Sequence, residues 1–227
     1  MVNLILSNRF LVLYVMPFCL GLLTVFSFKP FNLSFINFII LPIFFSIIVY
    51  VRKKSESIYR KKPYKKNLFV LGLIFGFGFF LSGIFWISYS LTFDESFKYL
   101  IPFAVIFIPL FLSIFTGLTI LIVGQYLSYN FSSILLFSGS LALCDYIRGK
   151  ILSGFPWNLW GYSWSWFTEI LQILNHVGFF AFNLLAITFF TLPSIIFFKS
   201  TTSKKILATT ITLLIIFSLY VYGSSSI

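Results

Sequence analysis

Long runs of Phe, Ile, Leu and Val separated by short polar stretches fill most of this chain. A helix needs about 20 predominantly apolar residues to cross the hydrocarbon core of a bilayer. Seven runs approach or exceed that length: 10–28, 33–51, 68–91, 99–125, 132–147, 170–198 and 206–223. The fifth is short and the sixth long. The pattern predicts an all-α integral membrane protein, a bundle of about seven transmembrane helices forming a single domain over residues 1–227. The first run is too long for a signal-peptide core and SFKPF follows it without a small-x-small site, so it is expected to persist as a helix.

Composition agrees. The chain is 59% hydrophobic and 9% charged, whereas soluble domains carry about 25% charged residues. The net charge of +11 does not point to nucleic acid, because it is concentrated in one place. Eight of the sixteen basic residues fall in RKKSESIYRKKPYKK, residues 52–66, between two apolar runs. With the N-terminus inside, the cytoplasmic segments hold Arg9, those eight, Lys199, Lys204 and Lys205, and the outer segments hold Lys29, Lys98, Arg148 and Lys150. Twelve against four predicts an N-in/C-out topology with 52–66 as a cytoplasmic loop.

That topology places residues 148–169 outside. Their centre, GFPWNLWGYSWSW at 154–166, carries four of the five tryptophans. Tryptophan belts mark the membrane–water interface, and the irregular backbone expected here needs polar partners. Such a place suits substrate; the plainer reading is an anchoring belt. Trp157, Trp160 and Trp164 have helical spacing, and Pro156 is suited to the first helical position. Asp145 and Arg148, three apart, are expected to form an ion pair on one helix face. Arg148 alternatively meets a phospholipid phosphate, since a guanidinium binds phosphate oxygens bidentately.

The remaining candidates read as structural. Thr92 and Glu95 have capping-box spacing. Glu169 fits a helix N-terminus. Gly72 and Gly76 form GxxxG, read as internal helix packing. Cys19 and Cys144 are expected to be small buried hydrophobes, and His176 an interfacial residue. No disulfide, metal site or cofactor is expected.

Two stretches carry a resemblance. GFGFFLSGIFWISYSL at 76–91 and DYIRGKILSGFPWNLWGYSW at 145–164 resemble signatures of the bacterial apolipoprotein N-acyltransferases, the second following R-G-x-x-x-[ST]-G-F-P-W-x-x-x-G-Y-S. FSFKPFNLSFINFIILP at 26–42 is similar to the family's opening pair of spans, and Asp145 stands where the family often has Glu. The resemblance implies seven helices, a periplasmic nitrilase-like domain and a final helix. It implies acyl transfer from a phospholipid to the amino-terminal diacylglyceryl-cysteine of an apolipoprotein, through a cysteine thioester supported by glutamate and lysine. That triad belongs to the nitrilase-like domain, so no catalytic residue is carried over to this chain. The chain is therefore expected to be the membrane domain of such an enzyme, truncated or split and inactive alone, in a bacterial inner membrane. Its expected partners are membrane phospholipid, the apolipoprotein and a separately encoded nitrilase-like domain. Arg148, Gly154, Phe155, Pro156, Trp157, Gly161 and Tyr162 are the substrate-binding candidates, at an entrance for acyl chains. A non-enzymatic scaffold or decayed gene product is the alternative, and a small transporter a more remote one.

Overall fold

The computed structural model describes residues 8–56, 64–151, 154–198 and 202–225; part of the basic loop, 57–63, lies outside the described residues. The described residues contain helices and no strand. The chain enters through a widened π turn, Leu11–Val15, into α1 (Met16–Leu23). Pro17 lacks an amide for the helical ladder, and the wider turn before it accommodates the ring. Then follow α2 (Asn37–Glu56), α3 (Tyr64–Ile84), α4 (Ile101–Val123), α5 (Phe131–Arg148), the single turn α6 (Thr168–Leu171), α7 (Leu174–Thr191) and α8 (Thr202–Ser224). Tighter 3₁₀ segments extend several of them: Phe85–Thr92 after α3, Glu95–Leu100 before α4 and Leu192–Phe197 after α7.

Among the described residues, five helical stretches are long and apolar enough to cross a membrane: Ser34–Lys54, Lys65–Thr92, Glu95–Val123, Leu174–Phe197 and Lys205–Ser224, with Leu11–Ser27 a shorter apolar helix. α5, with its serines, Asp145 and Arg148, is not among these five. Each predicted run therefore has a helical counterpart, but the sixth is broken. Gly178 in α7 adopts φ 73°, ψ 167°, a conformation open to glycine at little cost, which separates the start of α7 from its remainder.

The bundle closes around α3. Small residues let its neighbours approach at backbone contact. A Cβ added to Gly21 of α1 would lie 2.2 Å from the Phe75 carbonyl oxygen, and one on Gly78 would lie 2.5 Å from that of Phe18. On another face, Cβ atoms at Gly72 and Gly76 would meet Thr116 at 2.8 and 2.9 Å, so GxxxG serves packing within the chain. Aromatic rings fill the centre: Phe44 stacks on Phe75 at 3.9 Å between centroids, and Phe137 meets Phe44 and Phe45 edge-on.

Two ends are distinguished. At one, Arg52 Nη1 donates to the Leu127 carbonyl at 2.9 Å and Lys53 lies over the Tyr129 ring at 4.5 Å, so the start of the basic loop sits beside the α4–α5 turn. At the other end of α2, Ser34 donates to the Ser163 carbonyl and accepts from Trp166 Nε1 at 2.6 Å. The basic and tryptophan-rich segments thus occupy opposite ends of the bundle. α8 is peripheral, touching α6 and the 3₁₀ segment after α7, with His176 hydrogen-bonded to Tyr222.

Two local expectations are corrected. The cap before Glu95–Leu100 is Asp94, whose carboxylate accepts from the Ser96 amide at 2.8 Å. Thr92 is unavailable because its hydroxyl donates back to the Tyr89 carbonyl. Cys19 is exposed on α1, whereas Cys144 is buried; both are free thiols.

The glycine seams set a stability test. Gly21→Ala and Gly78→Ala should each cost about 1–3 kcal/mol through overpacking, read as thermal or denaturant unfolding in detergent micelles. Gly139→Ala, where a Cβ would meet nothing within 4 Å, should raise stability by up to about 1 kcal/mol, since it only removes a glycine from a helix interior.

Candidate functional site

The tryptophan-rich segment is held by a buried polar chain. Arg148, the last residue of α5, is 2% exposed. Its Nη2 donates to Asp145 Oδ1 at 3.1 Å, one helical turn earlier. Its Nη1 donates to the carbonyls of Phe155 at 2.7 Å and Trp157 at 2.9 Å. Asp145 Oδ2 accepts from Asn183 Nδ2 of α7 at 2.9 Å, and Asn183 Oδ1 accepts from the Gly161 amide at 2.9 Å. The guanidinium also lies over the Phe80 ring of α3, 5.0 Å from its centroid. One cation thereby joins α3, α5, α7 and both halves of the irregular segment.

The backbone follows from this anchoring. Gly154 turns the chain at φ +81°, so close to the Gly149 carbonyl that a Cβ would stand 2.5 Å from it. Asn158, at φ +55°, makes a second reversal and packs against α3 at Gly83, where a Cβ would fall 1.7 Å from Asn158 Nδ2. Pro156 therefore opens no helix; the helical turn starts at Trp160 and runs to Trp164. Trp160 and Trp164 point inward, 3% and 6% exposed. Trp160 stacks on Phe79 at 5.0 Å and Trp164 on Phe190 at 5.5 Å. Trp157 lies on the opposite side, half exposed, with its ring edge-on to Trp86 at 5.5 Å. The three tryptophans share no face, because the reversal at Asn158 separates the first from the other two.

Trp157 and Trp86 form part of a groove of about 900 Å³. Its walls are the turn after α1 (Val25, Phe26 and Phe28 to Phe31), the end of α3 and its continuation (Ser82, Gly83, Phe85, Trp86), and Trp157, Asn158, Tyr162 and Ser165. The volume is that of a site for a sizeable small molecule, about 300–1,000 Å³. The surface is largely apolar and aromatic; among the described residues no carboxylate, imidazole or thiol lines it. A second apolar cleft of about 370 Å³, between Ile87, Leu91, Leu100, Phe103 and Phe107, lies across the Phe85–Thr92 segment. Among the described residues, no group of three or more His, Cys, Asp and Glu could hold a metal ion.

Of the candidates read from sequence, Trp157 and Tyr162 line the groove. Gly154, Phe155 and Pro156 form the turn that Arg148 clamps, and Gly161 packs against Phe179 and Phe182. Arg148 lies buried behind the segment, with both terminal nitrogens bonded to protein. The sequence reading missed Asn183, Asn158, Ser34, Trp86 and Lys29. Asn183 carried a usable signal, a lone amide inside FFAFNLLAITFF, where polar groups are costly.

The clamp and the groove respond differently to substitution. Arg148→Met should lower the unfolding free energy by about 3–5 kcal/mol, because it strands the Asp145 carboxylate in the interior. Arg148→Lys should recover only part, since an ammonium lacks the planar fork. Trp157→Ala, at an exposed position, should cost about 1 kcal/mol or less. Denaturant unfolding in micelles separates the three.

The sequence model described as apolipoprotein N-acyltransferase N-terminal domain matches residues 20–192. The chain is 28% identical over 186 residues to the apolipoprotein N-acyltransferase of Rhodopseudomonas palustris, covering 82% of this chain and 34% of that protein. It is 30% identical over 175 residues to that of Bradyrhizobium diazoefficiens, covering 77% of this chain and 32% of the relative. It is 31% identical over 212 residues to that of Rickettsia typhi, covering 92% of this chain and 40% of the relative. The matched region thus spans roughly a third of the length of the curated relatives. With a family model matching most of its length, the chain belongs to the apolipoprotein N-acyltransferase N-terminal domain family.

Proposed function

We propose that these residues form the membrane domain of an apolipoprotein N-acyltransferase and hold acyl chains for a transfer completed on residues beyond the 227. The observation that carries this reading is the groove of about 900 Å³, walled by aromatic rings at the end of the bundle opposite the basic loop. An acyl chain needs an apolar wall and no specific polar partner, and the groove supplies that wall. Its lining offers no thiolate that would attack a phospholipid ester. Bond making then belongs to a nitrilase-like catalytic domain, on the same chain or separately encoded. The phospholipid is the acyl donor and the apolipoprotein, through its diacylglyceryl-cysteine, the acceptor.

The orientation that fits is N-in/C-out in a bacterial inner membrane. The basic loop then contacts anionic headgroups on the cytoplasmic side, and the groove opens outward, toward the catalytic domain. In this reading Trp157 and Tyr162 touch the acyl chain. Gly154, Phe155, Pro156 and Gly161 shape the segment, and Arg148 positions it.

Reconstituted residues 1–227 should be labelled by a phospholipid carrying a photoactivatable acyl chain, with crosslinks concentrated at Trp86, Trp157 and Tyr162. Paired Trp86→Ala and Trp157→Ala substitutions should lower that yield several-fold. Labelling spread evenly over the outer faces of the helices would remove the acyl-binding role. The same preparation should not acylate a diacylglyceryl lipopeptide; turnover by these residues alone would overturn the division between holding and chemistry.

A further inference from the structure

We propose that Gly83 is a positioning residue of the groove, setting Trp86 and Trp157 as one wall and keeping the Asn158 amide clear of the acyl chain; the inference rests on the acyl-binding reading above. Gly83 lies one residue before the end of α3, where the helix gives way to the 3₁₀ segment Phe85–Thr92. It meets both halves of the wall. Its carbonyl accepts from Trp86 Nε1 at 3.1 Å. Its Cα faces the Asn158 side chain, where a Cβ would stand 1.7 Å from Nδ2 and 2.9 Å from Cγ. Trp157 precedes Asn158 in the chain, and its ring meets Trp86 edge-on at 5.5 Å. All four residues line the groove.

The backbone on the far side of this contact has little freedom. The Trp157 carbonyl is held by Arg148 Nη1 at 2.9 Å, and Asn158 itself makes the reversal at φ +55°. Leu159 and Trp160, which follow, are buried. A methyl group on Gly83 is therefore met by the Asn158 side chain, which is only half-buried. Rotation about its first side-chain bond carries the whole amide away from α3. The amide then enters the groove or pushes on Trp157. A polar amide placed against an acyl chain loses its hydration without gaining a partner, and a displaced Trp157 parts from Trp86. Either response spoils the acyl wall and leaves the helices packed as before.

The test is photolabelling of reconstituted residues 1–227 by the phospholipid with a photoactivatable acyl chain. Gly83→Ala should lower the crosslink yield at Trp86 and Trp157 several-fold, with the denaturant unfolding midpoint close to that of the unmodified chain. Adding Asn158→Gly to Gly83→Ala should restore most of the yield, because glycine keeps the positive φ and removes the amide. Trp86→Phe, which keeps a ring but loses the bond to the Gly83 carbonyl, should lower the yield at Trp157. Gly139→Ala, where a Cβ meets nothing within 4 Å, should label like the unmodified chain. If Gly83→Ala labels like the unmodified chain, or the double variant stays as low as the single one, the positioning role is overturned while acyl binding stands. An unchanged yield at Trp157 in Trp86→Phe overturns the part assigned to the Gly83 carbonyl. If the unmodified chain itself is not labelled at the groove, acyl binding falls and the positioning role with it.

Discussion

Non-helical backbone at the edge of a membrane persists only where its polar groups find partners in protein or water. Here that requirement is met by side chains, with Arg148 at their centre. Arg148 takes the carbonyls on either side of Pro156, which the turn leaves without helical partners, and anchors itself on Asp145. Asn183 closes the chain by bonding both Asp145 and the Gly161 amide. Arginine suits this role because its fixed fork presents several donors in a plane and never deprotonates. A carboxylate one turn back lowers the cost of burying it, and the Phe80 ring covers a face that water would otherwise occupy. Without these partners, the Gly154 and Asn158 reversals would expose unsatisfied backbone, and the aromatic segment would have no defined path.

A defined path lets one short sequence do two kinds of work. Trp160 and Trp164 turn inward and stack on Phe79 and Phe190, extending the aromatic core upward from Phe44 and Phe75. Trp157 turns outward to meet Trp86 at the groove. The division depends on Asn158, which reverses the chain, and on Gly83, which leaves room for the Asn158 side chain. Ser34 then joins the segment to the turn between α1 and α2 through Ser163 and Trp166. That second tie sets the far wall of the groove relative to the near one.

The helices were legible because apolar run length is a direct physical requirement of the bilayer. The Asp145–Arg148 pair was legible because three-residue spacing on a helix makes the contact local. The groove was not, since its walls come from residues 25–31, 82–86 and 157–165, and no periodicity encodes their approach. Helical spacing misassigned Trp157 because periodicity assumes a continuous helix, while Asn158 at φ +55° breaks it. Thr92 failed as a cap for a similar reason: the preceding 3₁₀ turn offered its hydroxyl a nearer acceptor. The break at Gly178 was hidden because the run is apolar enough overall to read as one span, although Gln172, Asn175, His176 and Asn183 interrupt it.

The burial of Arg148 also bears on how charge is used at this end of the molecule. A cation with its terminal nitrogens bonded to protein has little attraction left for a ligand, however close it lies in sequence to the aromatic motif. An exposed cation without a carboxylate partner keeps its field, attenuated by water and salt. Arg148 thus spends its terminal donors on the shape of the groove's wall. Proximity of a basic residue to a signature motif thus does not make it a ligand contact when its terminal donors are already taken by protein.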